Sequence, residues 1–289
     1  MWFPLALFTA FATAIMAPIN KHQLKTVNPF ALLFLNQLCS VIFMFAAIMF
    51  LGGIPQVTNK FFLFIFCASV LDVIAFSCSY WAIKHTPISL LAPLTSFTPV
   101  FATIFGMIFL HEIPTPLKLG GIFTIVLGMY LLNISDIKGG LLKPIQKLFS
   151  HPGVWVFFVE VIIFGITPIF QKQAIFEVHP TMPLFAAFIG NLFVTVYVSF
   201  YGIKKVRQEI VSVRKNAWFF LLFGLINTFA QLAAYLVFST TYVGYATAIF
   251  SLSSLFTIIL GGVIFKEKHI GERLLGAIVM IIGTVLLAL

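Results

Sequence analysis

Charge is what this chain has least of: Asp, Glu, Lys and Arg together make up 9% of its 289 residues, where soluble domains carry roughly 25%. A water-facing surface of ordinary composition cannot be built from so few. Cysteine is nearly absent too. Cys39, Cys67 and Cys78 lie inside apolar runs and share no paired spacing, so neither a disulfide framework nor a zinc site is expected, and the three read as packing residues. The phosphate-binding loop and the dinucleotide fingerprint are missing. His111-Glu112 is not a zinc-protease signature, because Thr115 stands where the second His belongs. No metal and no cofactor is therefore expected.

What is abundant points to lipid. The chain is 61% hydrophobic, holds 36 Phe and has a mean hydropathy of +1.10, more apolar surface than one water-soluble core can hide. Its net charge of +9 could suggest nucleic acid, but the 17 Lys and Arg are scattered in short clusters between apolar runs and so report membrane topology instead. A bilayer crossing takes about 20 apolar residues. Ten segments qualify: 2–20, 29–51, 61–83, 88–110, 117–134, 154–171, 181–202, 217–239, 243–265 and 272–289. Turn chemistry marks many of the breaks, among them Asn28-Pro29, Gly52-Gly53-Ile54-Pro55 and His179-Pro180. The first segment lacks the basic start and small-residue cleavage site of a signal peptide, and reads as a retained helix.

Loops after the odd-numbered spans, counted with the first residues of the span that follows, hold 14 of the 17 Lys and Arg, which places those loops in the cytoplasm and both termini outside. The connections at 135–153 and 203–216 are basic and carry short amphipathic stretches of the kind that lie along an anionic leaflet, although a plain solvated linker fits them equally. An integral multi-pass protein of a bacterial-type plasma membrane is expected.

Shifting the chain by 155 residues aligns Asn36 with Asn191, Tyr80 with Tyr235, Ser96 with Ser251, Glu112 with Glu267, Gly121 with Gly276 and Gly128 with Gly283. Each copy holds five spans, an odd number, so the second must enter the membrane from the opposite side. The expected fold is an all-α membrane protein of ten transmembrane helices in two inverted five-helix repeats, 1–134 and 154–289, joined by the linker 135–153. Inverted repeats are a common architecture of secondary transporters.

The segments Pro93-Leu94-Thr95-Ser96-Phe97-Thr98-Pro99 leading to His111-Glu112 and Gly120-Gly121, and Ser251-Leu252-Ser253-Ser254 leading to Lys266-Glu267-Lys268 and Gly276, resemble the drug/metabolite transporter superfamily, EamA type. The resemblance covers nearly all of the chain. It implies a carrier of small metabolites, with the first four spans of each repeat around a central cavity and the fifth more peripheral. Many members are assigned with both termini inside, whereas the charge pattern here puts them outside.

Of the eight acidic residues, only Asp72 and Glu160 fall well within spans, where a carboxyl is costly and faces a cavity, a partner or a proton path. Both are candidates for proton coupling or for recognising a cationic group. The alternative for Asp72 is a neutral structural residue, and for Glu160 one that reaches the interface. Asn36, Asn191, Asn227 and Gln231 can read a substrate or bond neighbouring helices. Tyr80, Trp81 and Tyr235 near span ends suit an aromatic belt, with the tyrosines as gate candidates. Pro18, Pro93, Pro99 and Pro168 inside spans are expected to bend or break helices, freeing carbonyls beside Thr95 and Ser96 to line a cavity, with Ser251 presented in register by the second copy, the alternative being a static kink.

The expected function is a secondary active transporter, an exporter or exchanger of a small metabolite or drug-like molecule, working by alternating access with protons as a candidate coupling ion. An intramembrane enzyme would need clustered His, Asp, Ser or Cys at one depth, and the spans hold no His. A receptor or assembly factor would need extramembrane surface that these short loops do not supply. The partners expected are therefore a small-molecule substrate and the bilayer.

Overall fold

The protein's computed structural model describes residues 2–23, 26–51, 53–86, 91–134, 152–179, 182–215, 217–265 and 270–289. The linker at 135–151 and Glu267 fall outside these. In chain order the helices are α1 (Trp2–Gln23), α2 (Pro29–Leu51), α3 (Asn59–His85), α4 (Thr98–Phe109), α5 (Pro116–Ile134), α6 (Pro152–Phe176), α7 (Pro183–Gln208), α8 (Ile210–Lys215), α9 (Ala217–Thr240), α10 (Val243–Phe250), α11 (Ser253–Phe265) and α12 (Ile270–Ala288). Four of them, α2, α5, α6 and α7, open on proline, whose missing N–H costs nothing at a first helical position. Asn28 completes the start of α2 by accepting the Phe30 N–H at 3.0 Å. Among the described residues, α2, α3, α6, α7 and α9 contain stretches long and apolar enough to cross a membrane, and shorter apolar helices make up the remaining spans.

Two spans differ from the pattern in the sequence. The run 88–110 is divided into a 3-10 helix, Ala92–Phe97, and α4, while 243–265 is divided into α10 and α11. Pro93 and Pro99 explain the first division, since neither can donate into a continuous helix, and the Thr98 N–H turns to Thr95 O instead. The second has no proline. There Ser251 Oγ takes Ala248 O at 2.6 Å, and the Leu252 and Ser254 N–H groups reach back only three residues, to Ile249 and Ser251. The junctions 97/98 and 252/253 are 155 residues apart, so both repeats interrupt the same helix at the same place. The connection at 203–216 is mostly helical: α7 runs on to Gln208, and α8 follows.

Contacts divide the chain into two compact units, Met1–Val70 with Phe170–Ser239, and Leu71–Ile169 with Thr240–Leu289. Each unit therefore draws on both repeats. In the first, α2 packs on its repeat counterpart α7, and Val27, Ala31, Leu32 and Phe220 form a core under one end. The Asn28 N–H donates to Glu209 Oε2 at 2.7 Å, joining the connections after the first and seventh spans. A two-residue antiparallel ladder, β1 (Gln56–Val57) on β2 (Val178–His179), joins those after the second and sixth. Odd connections thus meet odd and even meet even, as alternate crossings require.

In the second unit, α5 packs on its counterpart α12. Lipid offers helices no hydrophobic drive to associate, so close backbone approach through small residues does the holding. Four glycines allow it. A Cβ built on Gly121 would lie 3.1 Å from Gly283 O, and one on Gly128 would lie 2.8 Å from Gly276 O and 2.5 Å from Met280 N. The 155-residue shift exchanges these two contacts, giving the crossing the two-fold relation of an inverted repeat.

Gly128→Ala is expected to destabilise the detergent-solubilised protein by about 1–3 kcal/mol, the usual cost of overpacking, seen as a lower thermal midpoint. Gly120→Ala, where an added Cβ meets nothing within 4 Å, should leave that midpoint where it is.

Candidate functional site

The residues that lipid tolerates least come together in the second unit, on the facing surfaces of α3 and α6. Asp72 and Ser79 are seven residues apart on α3, and Glu160 and Thr167 are seven apart on α6. Seven residues are close to two helical turns, so each pair shares a face, with about 10 Å of axial rise between its members. The helices run in opposite senses, and the pairs meet in reverse order: Asp72 with the Thr167 hydroxyl, and Glu160 with the Ser79 hydroxyl. Halfway between, Phe76 and Phe164 meet edge to face with ring centroids 5.6 Å apart. The result is a strip of carboxyl, aromatic pair, carboxyl.

The two ends of the strip differ. Glu160 is only 6% exposed, and its Oε2 has no hydrogen-bond partner. Beyond it Ala82, Val154, Phe157 and Val161 pack with Leu91 and Leu94 into a dry cluster. Asp72 is partly exposed. Its partner Thr167 also donates to Ile163 O at 3.0 Å, and a hydroxyl has a single proton. Thr167 can therefore serve an ionised Asp72 or the α6 carbonyl, but not both at once. Pro168 follows inside α6, and Gly165 lets Phe101 of α4 sit against the α6 backbone, coupling the strip to the interrupted helix.

The repeat counterparts of Asp72, Ser79, Glu160 and Thr167 are Asn227, Ala234, Leu5 and Ala12. None can carry charge. In the first unit the corresponding α9 and α1 surfaces meet through Ala230, Ala12 and Met16. The titratable strip belongs to one half of the symmetric frame.

The other candidates are distributed as follows. In the first unit, Asn36 Nδ2 donates to Asn20 Oδ1 at 2.9 Å, and Asn227 Nδ2 donates to Ser40 Oγ at 2.9 Å, tying α1, α2 and α9 together. Asn191 bonds its own helix at Ala187 O. Gln231 is partly exposed on α9, and the buried Tyr235 brings its hydroxyl up to Gly190. In the second unit, Trp81 lies exposed near the end of α3 with its ring 4.6 Å from that of His85, and Tyr80 precedes it on the same helix. Thr95 and the fully buried Ser96 belong to the 3-10 helix with Pro93, Pro99 is the second residue of α4, and Ser251 sits at the α10–α11 junction. Pro18 lies within α1, through which the helix continues. Sequence reasoning missed Ser79, Thr167, Phe76 and Phe164. The signal available was the shared seven-residue spacing, which becomes telling only once α3 and α6 are known to be antiparallel neighbours.

The sequence profile of the EamA-like transporter family matches residues 1–134 and 151–289. The chain belongs to that family. It is accordingly an integral, multi-pass membrane transporter of small molecules, with the two matches covering its two repeats. A solved protein crystal structure shares the fold with a TM-score of 0.73 at 14% identity, covering 99% of this chain and 96% of the other. No curated protein matches this chain.

A carboxyl oxygen buried without a partner costs about 1–3 kcal/mol, more when charged. Glu160→Leu, which installs the residue of the other repeat, is therefore expected to raise the thermal midpoint. An unchanged or lower midpoint would mean that the Glu160 environment is already satisfied.

Proposed function

We propose that this EamA-family chain is a secondary active transporter that works by alternating access and exchanges protons at the Asp72–Glu160 strip. The observation that carries the reading is the strip itself: two carboxyls at different depths on one helix pair, each beside a hydroxyl and separated by an aromatic pair. Intramembrane acids are expensive and persist where a cavity or a proton path uses them. The Thr167 hydroxyl offers a local device, since its choice between Asp72 and Ile163 O tracks whether Asp72 holds a proton. That choice bears on α6 next to Pro168, and on α4 through Phe101 and Gly165.

Alternating access is supported by the symmetric interruptions at 97/98 and 252/253. Helices broken at equivalent points in two inverted repeats can exchange conformations as the transporter changes its open side. Lys and Arg are absent from the depth of the spans, which favours an amino acid, nucleobase or organic cation over a strongly anionic sugar phosphate. The charge pattern of the connections supports both termini outside, and export or exchange of a small metabolite or drug-like molecule across a bacterial-type plasma membrane is part of the same reading.

In proteoliposomes challenged with amino acids, nucleobases and organic cations, an imposed pH gradient is expected to drive flux of one class. Asp72→Asn and Glu160→Gln should each reduce gradient-driven flux at least tenfold while the purified protein stays folded. Undiminished gradient-driven flux in both variants would sink the proton-site reading and leave only transport.

A further inference from the structure

The lower part of α7 carries a feature that small-molecule transport does not use. Gly202 sits against Phe34 of α2, and Val206 packs on the core formed by Val27, Ala31, Leu32 and Phe220. The opposite side of the same two turns lines a recess of about 590 Å³ with Ser199, Phe200, Ile203, Lys204, Arg207 and Gln208. These six recur at the helical period and form one stripe. Its upper end is apolar, with Phe200 78% and Ile203 42% exposed. Its lower end is cationic, with Lys204 and Arg207 one turn apart and both exposed.

We propose that this stripe binds one anionic phospholipid, its acyl chain along Phe200 and Ile203 and its headgroup phosphate between Lys204 and Arg207. Three observations carry it. The order apolar, then cationic, along a helix leaving the membrane matches the order acyl chain, then phosphate, in a lipid leaflet. A planar guanidinium and an ammonium on one face supply the bidentate and point-charge contacts that phosphate accepts. The neighbouring acid, Glu209, is committed elsewhere, accepting the Asn28 N–H at 2.7 Å, and the short α8 continues the pattern with exposed Val211, Arg214 and Lys215. A soluble phosphate would satisfy the cations and leave the exposed Phe200 without a role. Juxtamembrane cations attract anionic leaflets generally; the stripe adds an apolar face directly continuous with the cation pair, in a shallow recess, and one lipid per chain is the expected occupancy.

The experiment is native mass spectrometry of the full chain, delipidated and titrated with phosphatidylglycerol or phosphatidylcholine of equal chain length. One phosphatidylglycerol per chain is expected to survive activation at least tenfold better than phosphatidylcholine. Lys204→Gln with Arg207→Gln should erase that preference, whereas the charge-keeping pair Lys204→Arg with Arg207→Lys should retain it. Lys60→Gln, a control at the start of α3, should also retain it. Equal retention of the two lipids by the native chain, or an undiminished preference in the double Gln variant, overturns the proposal. Displacement of the lipid by millimolar inorganic phosphate overturns it as well, by reassigning the cations to a free anion. Should the double Gln variant not fold, Phe200→Ser is read instead, with weakened phosphatidylglycerol retention expected and unchanged retention overturning the proposal.

Discussion

Every polar group placed in hydrocarbon must find a partner within the protein, and the structure answers that constraint in one repeated way. Hydroxyls along the spans fold back onto the carbonyl four residues earlier: Thr9 on Leu5, Ser40 on Asn36, Ser69 on Ile65, Thr103 on Pro99, Thr195 on Asn191, Thr228 on Gly224 and Thr284 on Met280. Such bonds cost little and free the helix surface for packing. They also make the exceptions conspicuous. Asn227 spends its amide on another helix, Thr167 lies beside a carboxyl as well as its own helix carbonyl, and one Glu160 oxygen has no partner at all.

Symmetry and its loss run side by side through the helices. Ser40 on Asn36 and Thr195 on Asn191 are the same bond in the two repeats, and the Gly121, Gly128, Gly276 and Gly283 crossing is its own image under the 155-residue shift. These matched features hold the frame. The unmatched ones are the titratable ones: Asp72 against Asn227, and Glu160 against Leu5. A duplicated scaffold can keep its packing residues in both copies because both crossings need them, while a titratable group is costly in each copy.

Much of this was legible in the chain. The apolar runs gave α2 at its observed bounds and most other ends to within a few residues, because lipid makes hydropathy a nearly direct record of helices. The exceptions have physical causes. Polar residues continue α6 to Phe176 and α7 to Gln208, since a helix need not stop where the bilayer does. The α10–α11 division was invisible because Ser251 and Leu252 break the ladder by turning hydrogen bonds three residues back, with no proline to announce it. At the strip, burial cost singled out Asp72 and Glu160 one at a time. Their hydroxyl partners were hidden, because Ser and Thr are common in spans and only the antiparallel placement of α3 and α6 selects the two that matter.

The compact units follow neither repeat. The first closes only when Phe170–Ser239 joins Met1–Val70, and the second only when Thr240–Leu289 joins Leu71–Ile169. During synthesis, then, the first five spans leave the ribosome with their principal partners still unmade: α2 waits for α7, and α5 waits for the last helix of the chain. Until then the glycine face of α5 stays unmatched, while α5 already has α4 and the 3-10 helix of its own repeat beside it.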